Sequence, residues 1–126
     1  MGSNADVINE AYAAFAKGDV PGLLELVDDG VDWVSPATLP HGGHFTGKDG
    51  VLAFFQGIGT TWESLIVEAE GVGDAEDNLV LAVVSAHGQL RSGGSGAYGA
   101  AHAFTVTNGK ITKFREYVDL DAPLAG

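Results

Sequence analysis

The sequence predicts an α+β fold in which a strongly curved, mainly antiparallel sheet wraps around three N-terminal helices as a cone-shaped barrel. Helical spacing of apolar residues is confined to the first half of the chain. The second half alternates between apolar and polar residues in strand-length runs. Two of these runs are joined by Asn108-Gly109, the strongest short-range signal of a hairpin, because a type I′ turn needs positive φ at both positions.

Two helices are predicted at the start of the chain. Residues 4–17 carry apolar side chains at helical spacing, and Lys17-Gly18 supplies the cation and the glycine that are typical of a helix end. Asp19-Val20-Pro21 starts a second helix, since proline is favoured in the first turn. We expect this helix to continue to about Asp28 and to end at Asp29-Gly30.

A short strand, a loop and a third helix follow. The strand is predicted over residues 31–35 and is ended by Pro36. Residues 36–47 contain two prolines, three glycines and two histidines, so they are predicted to form a loop. Residues 48–58 again have helical spacing, and Gly57 is expected to weaken the end of that helix.

Four strands in series complete the single domain, which spans residues 1–126 with its core at about 4–120. They are expected over residues 62–72, over residues 79–91 and along the two arms of the hairpin within 97–119. The tail after Asp119 is expected to be disordered. A curved sheet with helices across its mouth encloses a cavity, which is where small molecules bind in such folds.

The hairpin places a histidine inside the predicted cavity. Alternation turns one face of its first arm inward: Tyr98, Ala100, His102, Phe104 and Val106. The second arm breaks phase, because Ile111 and Phe114 are three residues apart. A bulge near Thr112-Lys113 would restore the phase and turn Glu116 inward, opposite His102. We prefer this arrangement, since it sends both cations outward; without the bulge, His102 would pair with Arg115.

Composition excludes several classes of function. The formal charge is −11, from 6 basic and 17 acidic residues, which argues against nucleic acid and against anionic membrane surfaces. No cysteine is present, so thiolate catalysis and cysteine zinc sites are excluded. The N-terminus shows no signal for secretion and no apolar run is long enough to span a membrane, so the expected location is the cytoplasm.

Three stretches carry a resemblance to a known family: AYAAFAKGDVPGLLELVDDGVDWVSP, LPHGGHFTGKDGVLAFF and AHAFTVTNGKITKFREYVD. Together they resemble the SnoaL-like branch of the nuclear-transport-factor-2-like superfamily, which includes ketosteroid isomerase, limonene epoxide hydrolase and scytalone dehydratase. The resemblance covers residues 4–120. It implies acid–base chemistry on apolar ligands without a cofactor or a metal, and a homodimer formed through the outer face of the sheet.

The catalytic groups of the isomerase branch are not kept. Its pocket tyrosine corresponds to Ala11, its base aspartate to Ser35 and its oxyanion-hole carboxylic acid to His102. The resemblance therefore does not imply steroid isomerisation. The polyketide cyclases of the family use a pocket carboxylate as acid and base, which has no certain counterpart in this sequence.

His102 and Glu116 are the candidate catalytic pair. A carboxylate beside an imidazole in a dry pocket orients the ring, perturbs both groups and can move a proton next to a carbonyl. The alternative is a histidine that is merely satisfied by a hydrogen bond. His41 and His44 could ligate a metal, but His41 is better interpreted as a substrate contact. The candidate substrate-binding residues are Tyr12, Trp33, Ser35, His41, Phe54, Phe55, Trp62, Phe104, Phe114 and Val118.

These observations predict a small-molecule pocket protein. The favoured function is a cofactor-free isomerase, cyclase, dehydratase or hydrolase that acts on an apolar carbonyl or polyketide-like compound, in the manner of ketosteroid isomerase or a polyketide cyclase. One alternative is a non-catalytic module that binds a hydrophobic ligand or a partner protein in the same cavity. Another is a dimeric structural protein whose cavity has collapsed.

Overall fold

The protein forms a six-stranded, curved and open sheet with three helices. The structure is a computed structural model that describes residues 4–36 and 39–118. Its elements are α1 (Asn4–Ala16), α2 (Val20–Glu25), β1 (Val27–Ser35), β2 (Gly43–Thr46), α3 (Gly47–Thr61), β3 (Trp62–Asp74), β4 (Leu79–Leu90), β5 (Ser95–Thr107) and β6 (Lys110–Val118). The strand order is β2-β1-β6-β5-β4-β3, and every neighbouring pair is antiparallel except β1–β6. The predicted α+β class is confirmed.

The second helix is shorter than predicted. Asp19 caps it by accepting a hydrogen bond from the backbone N–H of Gly22 at 3.0 Å, but the helix ends at Glu25. The expected continuation to Asp28 is wrong, because this segment pairs with β6 instead. Val27 is fully buried and lies opposite Ile111. Burial in the sheet therefore overrides a helical pattern that is only weakly preferred by itself.

The predicted loop over residues 36–47 contains an edge strand. β2 lies antiparallel to β1, with Phe45 opposite Trp33. Of its four residues, Phe45 and Thr46 favour a strand and Gly43 disfavours one, so the sequence signal is weak and the pairing partner reveals the strand. The third helix also extends beyond the predicted residues 48–58, because the apolar stripe that includes buried Val51 and Phe54 holds it together through Gly57.

The hairpin and its bulge are confirmed. Asn108 and Gly109 have φ of 52° and 77°, as a type I′ turn requires. The register shifts between Thr105, which lies opposite Lys113, and Val106, which lies opposite Ile111. Thr112 is therefore the extra residue, and its hydroxyl donates a hydrogen bond to the Thr105 carbonyl at 3.2 Å.

The bulge determines on which face of the sheet each later side chain of β6 lies. Glu116 lies directly opposite His102, and both are buried. Arg115 lies opposite Ala103, so the alternative pairing of Arg115 with His102 is wrong. The predicted inner face of the first arm, including Phe104, is buried throughout.

The core fills the space between the helices and the concave face of the sheet. β4 contributes small inner residues (Val80, Ala82, Val84 and Ala86, all buried), which leave room under the helices. The predicted disordered tail after Asp119 lies outside the described residues. Within residues 4–36 and 39–118, no helix has the length and apolar character needed to cross a membrane.

Gly88 marks a close approach between β3 and β4. A Cβ at this position would lie 1.9 Å from the Ser64 carbonyl oxygen, so the strands must separate to accommodate any side chain. We expect Gly88→Ala to lower the free energy of unfolding by about 1–3 kcal/mol, as overpacking does. Gly99→Ala on β5 is the matched control, because its Cβ would lie 4.0 Å from the nearest atom, the Val84 carbonyl oxygen. Urea unfolding measures the free energy of unfolding of both variants. Equal losses in the two would contradict the prediction.

Candidate active site

A cavity opens between helices α1 and α3 and the inner face of the sheet. Its volume is about 560 Å³ when the solvent at its mouth is included. Most of the wall is apolar. The lining residues are Ala11, Tyr12, Phe15, Leu23, Trp33, His41, Phe54, Phe55, Ile58, Leu65, Val67, Tyr98, His102, Phe104, Phe114 and Glu116. An apolar wall with a few polar groups is typical of small-molecule sites.

Four polar side chains form a continuous chain of hydrogen bonds along this wall. The Tyr12 hydroxyl lies 2.7 Å from His102 Nδ1, and His102 Nε2 lies 2.9 Å from Glu116 Oε2. The other carboxylate oxygen, Oε1, accepts a hydrogen bond from the Ser35 hydroxyl at 2.6 Å. The chain therefore joins α1, β5, β6 and β1 at one end of the cavity.

The direction of each hydrogen bond follows from the charge of Glu116. An ionised carboxylate only accepts, so Ser35 Oγ and His102 Nε2 must donate to it. In a neutral imidazole, His102 Nδ1 is then the acceptor, and the Tyr12 hydroxyl donates a hydrogen bond to it. Both nitrogens of His102 are thus occupied, and the groups of the chain that remain open to a ligand are the Glu116 carboxylate and the Tyr12 oxygen.

The surroundings keep Glu116 ionised. Burial alone would raise its pKa, but the hydrogen bonds that it accepts from His102 and Ser35 hold the pKa of Glu116 below its ordinary value. For Tyr12, burial and the nearby negative charge of Glu116 both raise the pKa of the hydroxyl, so the phenol stays protonated. A carboxylate base and a neutral phenol thus face the same cavity.

Aromatic rings enclose the histidine. The rings of Tyr12 and His102 are stacked with centroids 6.0 Å apart, and Phe114 meets the imidazole edge-on at 5.0 Å. Phe104 lies against both Tyr12 and His102. These contacts exclude water from the imidazole, which strengthens its hydrogen bonds to Tyr12 and Glu116.

The two loop histidines do not converge on a metal. His41 is buried, and its Nδ1 accepts a hydrogen bond from the Trp62 indole N–H at 3.1 Å. Burial lowers the pKa of His41, although the charge of Glu116 opposes this. His44 is exposed on β2 and hydrogen-bonds Asp32, which also pairs with Arg115 at 2.5 Å. Among the described residues, no group of three or more potential ligands could hold a metal ion.

Seven of the ten predicted substrate-binding residues line the cavity: Tyr12, Trp33, His41, Phe54, Phe55, Phe104 and Phe114. The other three lie elsewhere. Ser35 is buried behind the wall, where its hydroxyl is committed to Glu116. Trp62 lies behind His41, and Val118 lies opposite Ala100 near the end of β6.

Several cavity residues were not among those predicted. Tyr98 stands on the predicted inner face of β5, so alternation alone could have identified it. Phe15 belongs to the apolar stripe of α1, and Leu65 and Val67 alternate along β3. The contact of Tyr12 with His102 could not be predicted, since it joins side chains that are 90 residues apart in the sequence.

The indole N–H of Trp33 has no hydrogen-bond partner among the described residues, although Trp33 belongs to the cavity wall and is only 4% exposed. A buried donor without an acceptor costs about 1–3 kcal/mol. The apolar wall thus contains an unsatisfied donor as well as the anionic chain around Glu116.

Comparison with known proteins identifies the fold family. The family model of the SnoaL-like domain matches residues 8–114. An NTF2-like protein from Burkholderia thailandensis is 24% identical, with a TM-score of 0.88 over 97% of this chain and 95% of the other. A computationally designed 17-OHP binder is 26% identical, with a TM-score of 0.80 over 99% of this chain and all of the other (100%).

A third solved structure contains a steroid derivative. It is a Mycobacterium tuberculosis protein in complex with estradiol-17beta-hemisuccinate, 23% identical, with a TM-score of 0.80 over 96% of this chain and 98% of the other. No curated protein matches the sequence. The solved structures share the fold of this chain, and the family model, which matches most of its length, shows that the chain belongs to the SnoaL-like family.

Proposed function

We propose that this protein is an acid/base enzyme whose own side chains isomerise, cyclise, dehydrate or hydrolyse an apolar carbonyl or polyketide-like compound. The observation that carries the proposal is the hydrogen-bonded chain of Tyr12, His102, Glu116 and Ser35 on the wall of an apolar cavity. A structural salt bridge would not need an open cavity beside it. Ionisable groups in a concave, water-poor site are the usual mark of proton-transfer chemistry.

Glu116 is the proposed base. Its carboxylate removes a proton from the carbon next to the ligand carbonyl, and the electron pair of the broken C–H bond moves into the carbonyl to give an enolate. The proton then resides on Glu116, from which it returns to the same or another position of the ligand. His102 holds the carboxylate in place through Nε2, and Tyr12 holds the imidazole through Nδ1.

Proton exchange tests the proposal before the natural substrate is known. 2-Tetralone is a flat, apolar ketone with acidic α-protons, and their replacement by deuterium in D₂O can be followed by proton NMR. We expect the protein to accelerate this exchange above the rate in buffer alone. Binding of 2-tetralone without accelerated exchange would contradict catalysis and would support the alternative function.

That alternative is a non-catalytic carrier or sensor of a hydrophobic ligand. It is favoured by the similarity to the 17-OHP binder, which has the same fold over the whole length of both chains. A carrier would use the same apolar wall, and the chain around Glu116 would serve only to fix a polar group of the ligand. The exchange experiment separates the two functions, because a carrier binds the ketone and leaves its α-protons unchanged.

The outer face of the sheet is the proposed homodimer interface. Val83 on β4, Ala101 on β5 and Tyr117 on β6 lie side by side in register. Val83 and Tyr117 are 57% and 62% exposed, and neighbouring Leu81 is 49% exposed. Large apolar side chains around a small alanine form a surface that a second copy of the chain can cover.

Light scattering tests the dimer. We expect the protein to have the mass of a dimer at micromolar concentration, and Val83→Glu to have the mass of a monomer, since the introduced carboxylate would have to be desolvated in the interface. Glu70→Gln is the control. This exposed side chain lies beside the same face, and the substitution introduces no charge there. A monomeric mass for the unchanged protein would overturn the proposed interface.

A further inference from the structure

His41 is held in one tautomer on the wall of the cavity. The indole nitrogen of Trp62 can only donate, so His41 Nδ1 must be the acceptor of their 3.1 Å hydrogen bond. In the neutral imidazole the proton therefore resides on Nε2. Trp62 is only 2% exposed, so this hydrogen bond is shielded from water and the tautomer is fixed.

The protonated nitrogen of His41 is the part of the ring that is left for a ligand. Nε2 has no hydrogen-bond partner among the described residues. It remains accessible to solvent, whereas the indole N–H of Trp33 is completely buried. His41 lines the cavity, whereas Trp62 does not, so the Nδ1 side of the ring is turned to the protein. Burial lowers the pKa of His41, which keeps the ring a neutral donor.

The backbone around His41 fixes this position. The N–H of Leu39 donates to the Pro36 carbonyl and the N–H of Gly42 donates to the Leu39 carbonyl, each at 3.0 Å. A Cβ at Gly42 would lie 1.8 Å from the Pro36 carbonyl oxygen, so the tight turn requires a glycine. The ring also packs edge-on against Phe54, with centroids 5.6 Å apart. His41 is thus a preorganised donor.

Building on the function proposed above, we propose that His41 Nε2–H donates a hydrogen bond to the carbonyl oxygen of the ligand and so selects ketones over hydrocarbons of the same shape. A hydrocarbon would bury the His41 N–H without an acceptor, which is costly. The same hydrogen bond would stabilise the negative charge that forms on the oxygen when Glu116 removes the proton.

The test compares 2-tetralone with tetralin, the hydrocarbon of nearly the same shape that lacks the carbonyl oxygen. Equilibrium dialysis gives the Kd of each. We expect the unchanged protein to bind the ketone more tightly by about tenfold, the ratio that one hydrogen bond supplies. His41→Leu should reduce this ratio to about one, with tetralin bound at least as tightly as before.

Two further variants keep the test decisive. His41→Leu leaves the Trp62 indole without an acceptor, so the double variant His41→Leu/Trp62→Phe provides a folded alternative and should also lose the preference. Phe55→Leu is the matched control: it should weaken the binding of both compounds and keep their ratio. An unchanged ratio in both His41 variants, or a ratio of one or no measurable ketone binding in the unchanged protein, would overturn the proposal.

The outcome is separate from that of the catalytic proposal. Glu116→Gln should keep the preference for the ketone, because the carbonyl donor is on His41. A protein that prefers the ketone but does not exchange its protons would retain the role of His41 and lose the enzymatic function. A protein that exchanges the protons without preferring the ketone would retain the enzymatic function and lose the role of His41.

Discussion

Glu116→Gln should lower the rate of α-proton exchange in 2-tetralone by about 10²- to 10⁴-fold, the usual contribution of a positioned acid or base. Glutamine keeps the size of the side chain and can still accept from Ser35 or His102, but its amide cannot take up a proton from carbon. Proton NMR in D₂O measures the rate, and the Kd of 2-tetralone should change little, because most of the cavity wall is apolar.

Glu68→Gln is the matched control for this prediction. Glu68 is exposed on β3, on the outer side of the sheet, where it lies 3.5 Å from His87. The same chemical change at that position should leave the exchange rate unaffected. If Glu116→Gln exchanged the protons as fast as the unchanged protein, the base would have to be another group.

His102→Leu should be the most destabilising change at the site. It leaves the Glu116 carboxylate buried with Ser35 as its only remaining hydrogen-bond donor among the described residues, and it leaves the Tyr12 hydroxyl without its acceptor. Removing the hydrogen-bond partner of a buried charge costs about 3–5 kcal/mol. Urea unfolding at pH 7 measures the loss.

The pH dependence of stability should change sign in this variant. In the unchanged protein the pKa of Glu116 is below its ordinary value of 4.5, so its ionisation stabilises the fold above about pH 4.5, and this is lost as the pH falls through the folded-state pKa. Without His102, burial would raise the pKa of Glu116. The variant should then be most stable below about pH 4.5 and lose stability as the pH rises toward neutrality.

The groups that face Glu116 allow this effect to be isolated. The pKa values of Tyr12 and Tyr98 are raised by burial and that of His41 is lowered, so both tyrosines stay neutral and His41 stays uncharged as the pH approaches neutrality. The double variant His102→Leu/Glu116→Gln should recover stability at pH 7 and show no such dependence. If His102→Leu lowered the free energy of unfolding equally at pH 4 and pH 7, the ionisation of Glu116 would not be the cause of the loss.

The sequence was most informative where local chemistry decides the structure. Asn108-Gly109 can adopt few conformations other than a tight hairpin turn, and the spacing of Ile111 and Phe114 can be reconciled with a single buried face only by a bulge. Both features depend on neighbouring residues alone. For this reason the opposition of His102 and Glu116 could be predicted from a single chain.

The remaining features depend on residues that are distant in the sequence. The end of α2 is set by the pairing of Val27 with Ile111, and β2 exists because β1 lies beside it. The hydrogen bonds from Tyr12 to His102 and from Ser35 to Glu116 cross 90 and 81 residues of sequence. No local pattern contains that information, so the site could be predicted as a pair but not as a chain of four groups.

The bulge in β6 makes the chemistry of the cavity tolerant of one residue of chain length. Because Thr112 is the extra residue, its deletion would remove the bulge and leave Glu116 opposite His102 in a regular ladder. Closing the bulge with Thr112 retained would instead bring Arg115 opposite His102. The sheet thus absorbs one additional residue without exchanging an anionic interior for a cationic one.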